Sequence, residues 1–99
     1  NAGTAVAALR TLGAGDPEAA VSRAEWPARM QRLRGRLAQL AQPAELWLDG
    51  GHNPAAGEAI AATLRRWPAR PTHLVAGMLN TKDVAGFLRP LAAAADRLW

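Results

Sequence analysis

Apolar positions along the chain follow two patterns, one with helical spacing and one of short uninterrupted runs. Ala5, Ala8, Leu9 and Leu12 share one helical face ahead of Gly13, which predicts an Ala-rich helix over 1–12 stopped by a glycine. A second helix follows a Gly-Ala-Gly loop: Asp16 suits the N-cap, Pro17 the first helical position and Glu18 the first turn. Trp26-Pro27 ends that helix at or before Glu25, because a residue preceding proline is pushed out of the α region. This is the natural boundary between structural units. Farther on, Leu46, Trp47 and Leu48 are apolar without polar alternation, as expected of a strand covered on both faces. A helix over 54–66 then places Ala56, Ile60 and Leu64 on one face and is closed by Trp67-Pro68. Residues 72–76 read as a second buried strand ending at the turn of Gly77. Asn80 or Thr81 caps a last helix in which Val84, Phe87, Leu88 and Leu91 face inward, with a kink or restart at Pro90. Strand, helix, strand, helix with short connections is the signature of parallel βαβ units with right-handed crossovers, an α/β fold.

Residues 29–43 admit two readings. Met30, Leu33, Leu37 and Leu40 recur at helical spacing, yet Gly35 sits among them. A hairpin would place the glycine equally well, with a strand over 30–33, a turn at Gly35 and a return through Leu37.

The length of 99 residues allows one small domain, able to bury about 60–70% of its unfolded surface. The chain starts at Asn1 without an initiator methionine and runs out at Trp99 as an Ala-rich helix gives way to an apolar segment. It is therefore expected to be a piece of a longer protein. No window reaches the roughly 20 apolar residues of a membrane span, so no membrane partner is expected. The absence of cysteine excludes a disulfide scaffold and fits a reducing cytoplasm. The net charge of +4 rests on arginine, Lys82 being the single lysine. Apart from Arg29, Arg32, Arg34 and Arg36 the arginines are scattered, and Trp26, Trp47, Trp67 and Trp99 are not interleaved with them as a base-stacking platform would be. A solvated basic face and core or interface tryptophans account for both, and no nucleic-acid partner is expected. A noncatalytic basic module that binds nucleic acid stands as the alternative.

Chemistry concentrates at residues 45–54, Glu-Leu-Trp-Leu-Asp-Gly-Gly-His-Asn-Pro. Gly50 and Gly51 offer the positive φ of a sharp turn, Asn53 an N-cap and Pro54 a first helical position. A strand running through a turn into a helix N-terminus makes the kind of sheet edge at which anions and nucleotides bind. Asp49 could accept from a ribose diol, orient a metal-bound water or simply cap the turn. His52 could hydrogen-bond a phosphate or a developing oxyanion, or be structural. As metal ligands the pair lacks a third partner, since His73 lies inside the next strand, and no metal site is expected. Lys82-Asp83 falls at the same edge and also fits a surface pair in a first helical turn. Neither a Gly-x-x-x-x-Gly-Lys-Ser/Thr loop nor a Gly-x-Gly-x-x-Gly fingerprint occurs, so any nucleotide chemistry here is incomplete.

Four motifs, in order, resemble one family. Asp49-Gly-Gly-His-Asn-Pro54 is similar to the Asp-Gly-Ala-His-Asn-Pro signature of folylpolyglutamate and dihydrofolate synthases, relatives of the Mur ligases. Trp26-Pro-Ala-Arg29 resembles their Trp-Pro-Gly-Arg, residues 1–9 their Asn-Ala-rich helix, and Gly77-Met-Leu-Asn-Thr-Lys-Asp83 their Gly-Met-Leu-x-x-Lys-Asp. The resemblance implies that residues 1–25 are the tail of a central ATP-binding domain and 26–99 the first half of a Rossmann-like C-terminal ligase domain, with the phosphate loop far upstream. It implies an ATP-dependent amide ligase: a pteroate or folate carboxylate is phosphorylated, and the acyl phosphate is attacked by the amino group of L-glutamate. Asn1 matches an adenine-contacting asparagine, Arg29 a nucleotide-binding arginine, Asp49 the aspartate that holds the ATP ribose, and His52 the signature histidine, assigned to the phosphate side. ATP, dihydropteroate or folate, glutamate and the rest of a monomeric cytoplasmic parent chain are the implied partners, with Mg²⁺ held by residues outside this chain. Another Mur-type amino-acid ligase is the alternative within the same architecture. Ala28 and Gly51 replace a usual glycine and alanine, small-for-small exchanges expected to be tolerated. The family has a strand after Trp-Pro-Gly-Arg, which selects the hairpin over 30–40.

Overall fold

The structure, a computed structural model, describes residues 2–99. Helices α1 (Ala2–Leu12) and α2 (Pro17–Arg23) are short elements that pack on each other, joined by an ion pair of Arg10 with Glu18. Their ends follow the sequence. Gly13 sits at φ +62 after α1, and the Asp16 carboxylate accepts from Ala19 N at 2.9 Å to cap α2. Neither helix contains a buried residue.

After Pro27 come β1 (Gln31–Arg32), α3 (Arg36–Leu40), β2 (Trp47–Leu48), α4 (Pro54–Leu64), β3 (His73–Leu74), α5 (Val84–Ala92) and β4 (Arg97–Leu98). The hairpin expected over 30–40 forms only in its first half. Gly35, at φ +78, turns the chain into α3 instead of a return strand, and β1 pairs antiparallel with β2, Gln31 opposite Leu48 and Arg32 opposite Trp47. The partner of β1 is thus supplied from fifteen residues downstream, a choice local periodicity cannot make. The β3–α5–β4 segment is a parallel βαβ unit, with His73 opposite Arg97 and Leu74 opposite Leu98. Backbone bonds extend it from Asp96 N to Thr72 O and from Ala76 N to Trp99 O, both 2.9 Å. The fold is therefore α/β, but β2 and β3 are not hydrogen-bonded to each other among the described residues: the strands make two two-stranded sheets. Nor are they covered on both faces, since Leu48 is 45% and Val75 86% exposed.

The core lies between α4 and α5. Ala61, Phe87 and Leu91 are buried, with Ile60, Leu74 and Met78 packed around them. Gly57 brings the helices together: a Cβ there would stand 3.2 Å from both the Phe87 carbonyl carbon and Pro90 Cγ, and closer still to the Phe87 oxygen. Pro90 does not restart α5, which runs on to Ala92 with the proline ring buried in this interface. The contact offsets the backbone bond that proline forgoes. The N-cap of α5 is Asp83, accepting from Gly86 N at 2.8 Å, rather than Asn80 or Thr81. At the other end of α4, Trp67 meets Trp47 of β2 with ring centroids 4.7 Å apart and planes tilted by 45°. Among the described residues no helix is long and apolar enough to cross a membrane.

The molecule is open. Its radius of gyration is 16.1 Å, where a chain of this length packs to about 13 Å. Its accessible surface is 7847 Å², where a compact monomer of 10.5 kDa shows about 5,400 Å².

Candidate functional site

The turn between β2 and α4 and the segment leading into β1 form the two lips of one cleft of about 310 Å³. Arg29, Asp49 and His52 all line it, so three of the four residues singled out in the sequence come together. Asn1 lies outside the described residues. Lys82 is exposed and does not line this cleft.

Asp49 joins the lips. One carboxylate oxygen accepts from Met30 N and the other from Gly51 N, both at 2.7 Å. The carboxylate therefore performs the turn-capping role considered for it and also reaches nineteen residues back along the chain. Each oxygen keeps a second lone pair for another donor. Between the lips, Gly50 N donates to Ala28 O at 2.8 Å, and Arg29 Nη1 donates to the same carbonyl oxygen at 2.8 Å.

The glycines serve this turn differently from the sequence expectation. The left-handed backbone lies not at Gly50 and Gly51 but at Ala28 (φ 54) and Met30 (φ 42). What the glycines supply is room. A Cβ on Gly50 would stand 2.9 Å from Arg29 Nη1, and one on Gly51 would stand 2.9 Å from Ile60 Cδ1 and 3.0 Å from Asp49 Oδ1. Left-handed φ costs a residue with a Cβ about 1–2 kcal/mol. Alanine in place of glycine at position 28 is thus accommodated, but not free of strain. The sequence gives no sign of what holds this strain. The residue responsible on one side is Gln31, whose side-chain oxygen accepts from Ala28 N at 2.9 Å.

His52 is exposed, with Nδ1 3.1 Å from Gly50 O. A carbonyl oxygen only accepts, so this bond takes Nδ1–H as its donor and leaves Nε2 available to an incoming group. Asn53 caps α4 through Ala56 N at 2.9 Å and Pro54 carries no N–H, so the helix start contributes its dipole more than open donors. One guanidinium, one carboxylate and one imidazole thus face an open cleft floored by the apolar side chains of Ala56 and Ile60. That set can hold a polar, partly anionic ligand in orientation. Among the described residues no group of three His, Cys, Asp or Glu could hold a metal ion.

The chain is 35% identical over 97 residues to the dihydrofolate synthase/folylpolyglutamate synthase of Escherichia coli K12, covering 97% of this chain and 22% of that enzyme. It is 33% identical over 79 residues to the folylpolyglutamate synthase of Lacticaseibacillus casei, covering 71% of this chain and 18% of the relative. The chain thus spans about a fifth of the length of the curated relatives it matches. Its structure resembles E. coli FolC in complex with DHPP and ADP, with a TM-score of 0.78, 31% identity, and coverage of 99% of this chain and 23% of FolC. The FolC complex with ADP and without folate substrate gives a TM-score of 0.76 at the same identity. Residues 28–99 match the family described as Mur ligase, glutamate ligase domain, which starts within the strained turn and includes the whole cleft. The chain belongs to the Mur ligase family, with residues 28–99 matching its glutamate ligase domain.

Proposed function

We propose that the parent protein is an ATP-dependent dihydrofolate/folylpolyglutamate synthase that joins L-glutamate to dihydropteroate or folate through an acyl phosphate, and that this chain supplies one wall of its ATP site. The observation that carries the reading is the convergence of Arg29, Asp49 and His52 on one cleft at the junction of β2 and α4. The ADP held by the FolC structures and the names of the curated relatives support it. In this reading residues 1–25 belong to a central ATP-binding domain and 26–99 to the first half of the C-terminal ligase domain. The family match beginning at residue 28 favours that division. The parent is a cytoplasmic monomer with no nucleic-acid partner.

Each residue has a role that its geometry permits. Asp49 spends one lone pair of each oxygen on the backbone and accepts the ribose hydroxyls with the others. Arg29, resting on the Ala28 carbonyl beside Gly50, offers its remaining donors to the nucleotide. His52, with Nδ1–H on Gly50 O, presents Nε2 toward the phosphate and acyl-phosphate side and, where that nitrogen also carries a proton, donates to a phosphate oxygen. Asn1, which lies outside the described residues, is given the adenine contact on the resemblance alone. Mg²⁺, held by residues outside this chain, neutralises phosphate charge when bound.

The test uses the purified parent protein with ATP, Mg²⁺ and glutamate, offered dihydropteroate, folate or cell-wall precursors in parallel. Glutamylated folate and ADP should form together, and His52→Ala should slow the reaction about 100-fold, the scale of one lost transition-state hydrogen bond. Its thermal midpoint should stay unchanged, because the single bond of His52 is an exposed one. Turnover of cell-wall precursors alone would assign another Mur-type ligase, and an undiminished rate in His52→Ala would remove that residue from the site.

A further inference from the structure

We propose that Gln31 is a positioning residue for Arg29: its side-chain oxygen holds Ala28 in the left-handed turn that sets where the Arg29 guanidinium lies. This rests on the ATP-site reading above and adds to it a residue that touches no ligand.

The peptide unit after Ala28 is the point on which the site converges. Its carbonyl oxygen receives both Gly50 N and Arg29 Nη1, each at 2.8 Å. Where that oxygen points depends on the φ of Ala28, which at +54 is a conformation alanine does not favour. On its N-terminal side, Ala28 N has Gln31 Oε1 at 2.9 Å. Gln31 is itself anchored, since its backbone pairs with Leu48 in the β1–β2 ladder immediately before Asp49. The amide side chain thus ties the strained residue to the strand that also fixes Asp49. Without Oε1, Ala28 relaxes toward negative φ, its carbonyl leaves Gly50 N, and the guanidinium loses its seat. Gln31 is exposed and adds nothing to the α4–α5 core, so its effect falls on the site rather than on the fold.

The test compares the full-length parent with its Gln31→Met, Ala28→Gly and Arg29→Ala variants and with the Gln31→Met/Ala28→Gly double variant. ATP affinity is measured by calorimetric titration, with thermal midpoints and the KM values for ATP and glutamate alongside. Methionine keeps the length of glutamine and removes the acceptor. Gln31→Met should weaken ATP binding about 3- to 10-fold, the scale of one neutral hydrogen bond. The glutamate KM and the thermal midpoint should not move. Glycine at 28 adopts left-handed φ without help. The double variant should therefore bind ATP within about twofold of Ala28→Gly alone, the interaction expected of coupled neighbours. Unchanged ATP affinity in Gln31→Met, an equal rise in both KM values, or a loss undiminished on the glycine background would each overturn the proposal. If the wild-type parent does not bind ATP, the ATP-site reading falls and this inference with it. If Arg29→Ala weakens ATP binding while Gln31→Met does not, only this inference falls.

Discussion

Replacing Asp49 separates its two duties, because the bonds it makes within the chain are countable. Asp49→Ala removes two charge-assisted hydrogen bonds, to Met30 N and Gly51 N, both 2.7 Å long. Bonds of this type contribute about 1.5–3 kcal/mol when shielded, and the half-exposed setting of Asp49 reduces each to about 1 kcal/mol. Part of the loss of about 2 kcal/mol is returned when Met30, no longer held at φ 42, relaxes. The net destabilisation should be about 1–2 kcal/mol. Asp49→Asn keeps one accepting oxygen but turns an amide NH₂ toward the other backbone N–H, so it should fall between, at about 1 kcal/mol. Denaturant melts of the parent protein should rank wild type above Asn above Ala. On the ATP-site reading, ATP affinity should fall in both variants, since each leaves fewer acceptors for the ribose. An Ala variant as stable as wild type would refute the reasoning, for it would mean that the bridge between the lips carries no energy.

Two further substitutions test the close approaches. Gly57→Ala gains about 1 kcal/mol of helix propensity, but its Cβ meets the Phe87 carbonyl, a backbone group that moves only with α5; overpacking of about 1–3 kcal/mol should prevail, lowering the melting temperature of the parent without changing its KM for ATP. Gly51→Ala places a methyl group against the mobile end of Ile60 and 3.0 Å from Asp49 Oδ1; it installs the alanine of the resembling motif, so the fold should tolerate it and ATP affinity should stay within about twofold of wild type, under about 0.5 kcal/mol, in a direct titration.

What was legible in the sequence is what three or four residues decide among themselves. Asp16 and Asn53 were recognisable as caps because each accepts from a backbone N–H three residues on. The sequence places the cap of α5 at Asn80 or Thr81 instead of Asp83 because all three are polar. Asp83 prevails because its third neighbour is Gly86, where a Cβ would collide with the Asp83 carboxyl group. Long-range choices were not legible. Nothing in residues 30–40 says that β1 will pair with 47–48, and with that partner taken, Arg36–Leu40 follow their helical periodicity. The strain at Ala28 was equally hidden, since alanine carries no left-handed signal; only the glycine of the resembling motif pointed to that position. The candidate site was legible as far as Arg29, Asp49 and His52, and illegible at Gln31, whose only mark is a hydrogen bond.

Apolar patterning reports the burial a segment is suited to, and this chain leaves much of that burial unmet. The excess of about 2,400 Å² over a compact monomer is the size of a large, permanent protein interface. It includes Val75 at 86% exposure beside β3, Trp99 at 67% after β4, and α1 and α2 without a buried residue. Two short helices with no buried side chain cannot offset the entropy of ordering their own backbone. Their stability has to come from contact with a further surface. In the proposed enzyme that surface is the remainder of the parent chain, and the cleft lies where the two meet. Arg29 is the second residue of the family match, and Asp49 fastens the next residue, Met30, to the turn that carries His52. The strained turn at 28–30 is thus both the start of the family match and one lip of the cleft. A shift of that turn relative to the strand would move Arg29 without disturbing the α4–α5 core, so in the proposed enzyme the site can respond to how the rest of the parent chain packs while the fold that carries it stays fixed.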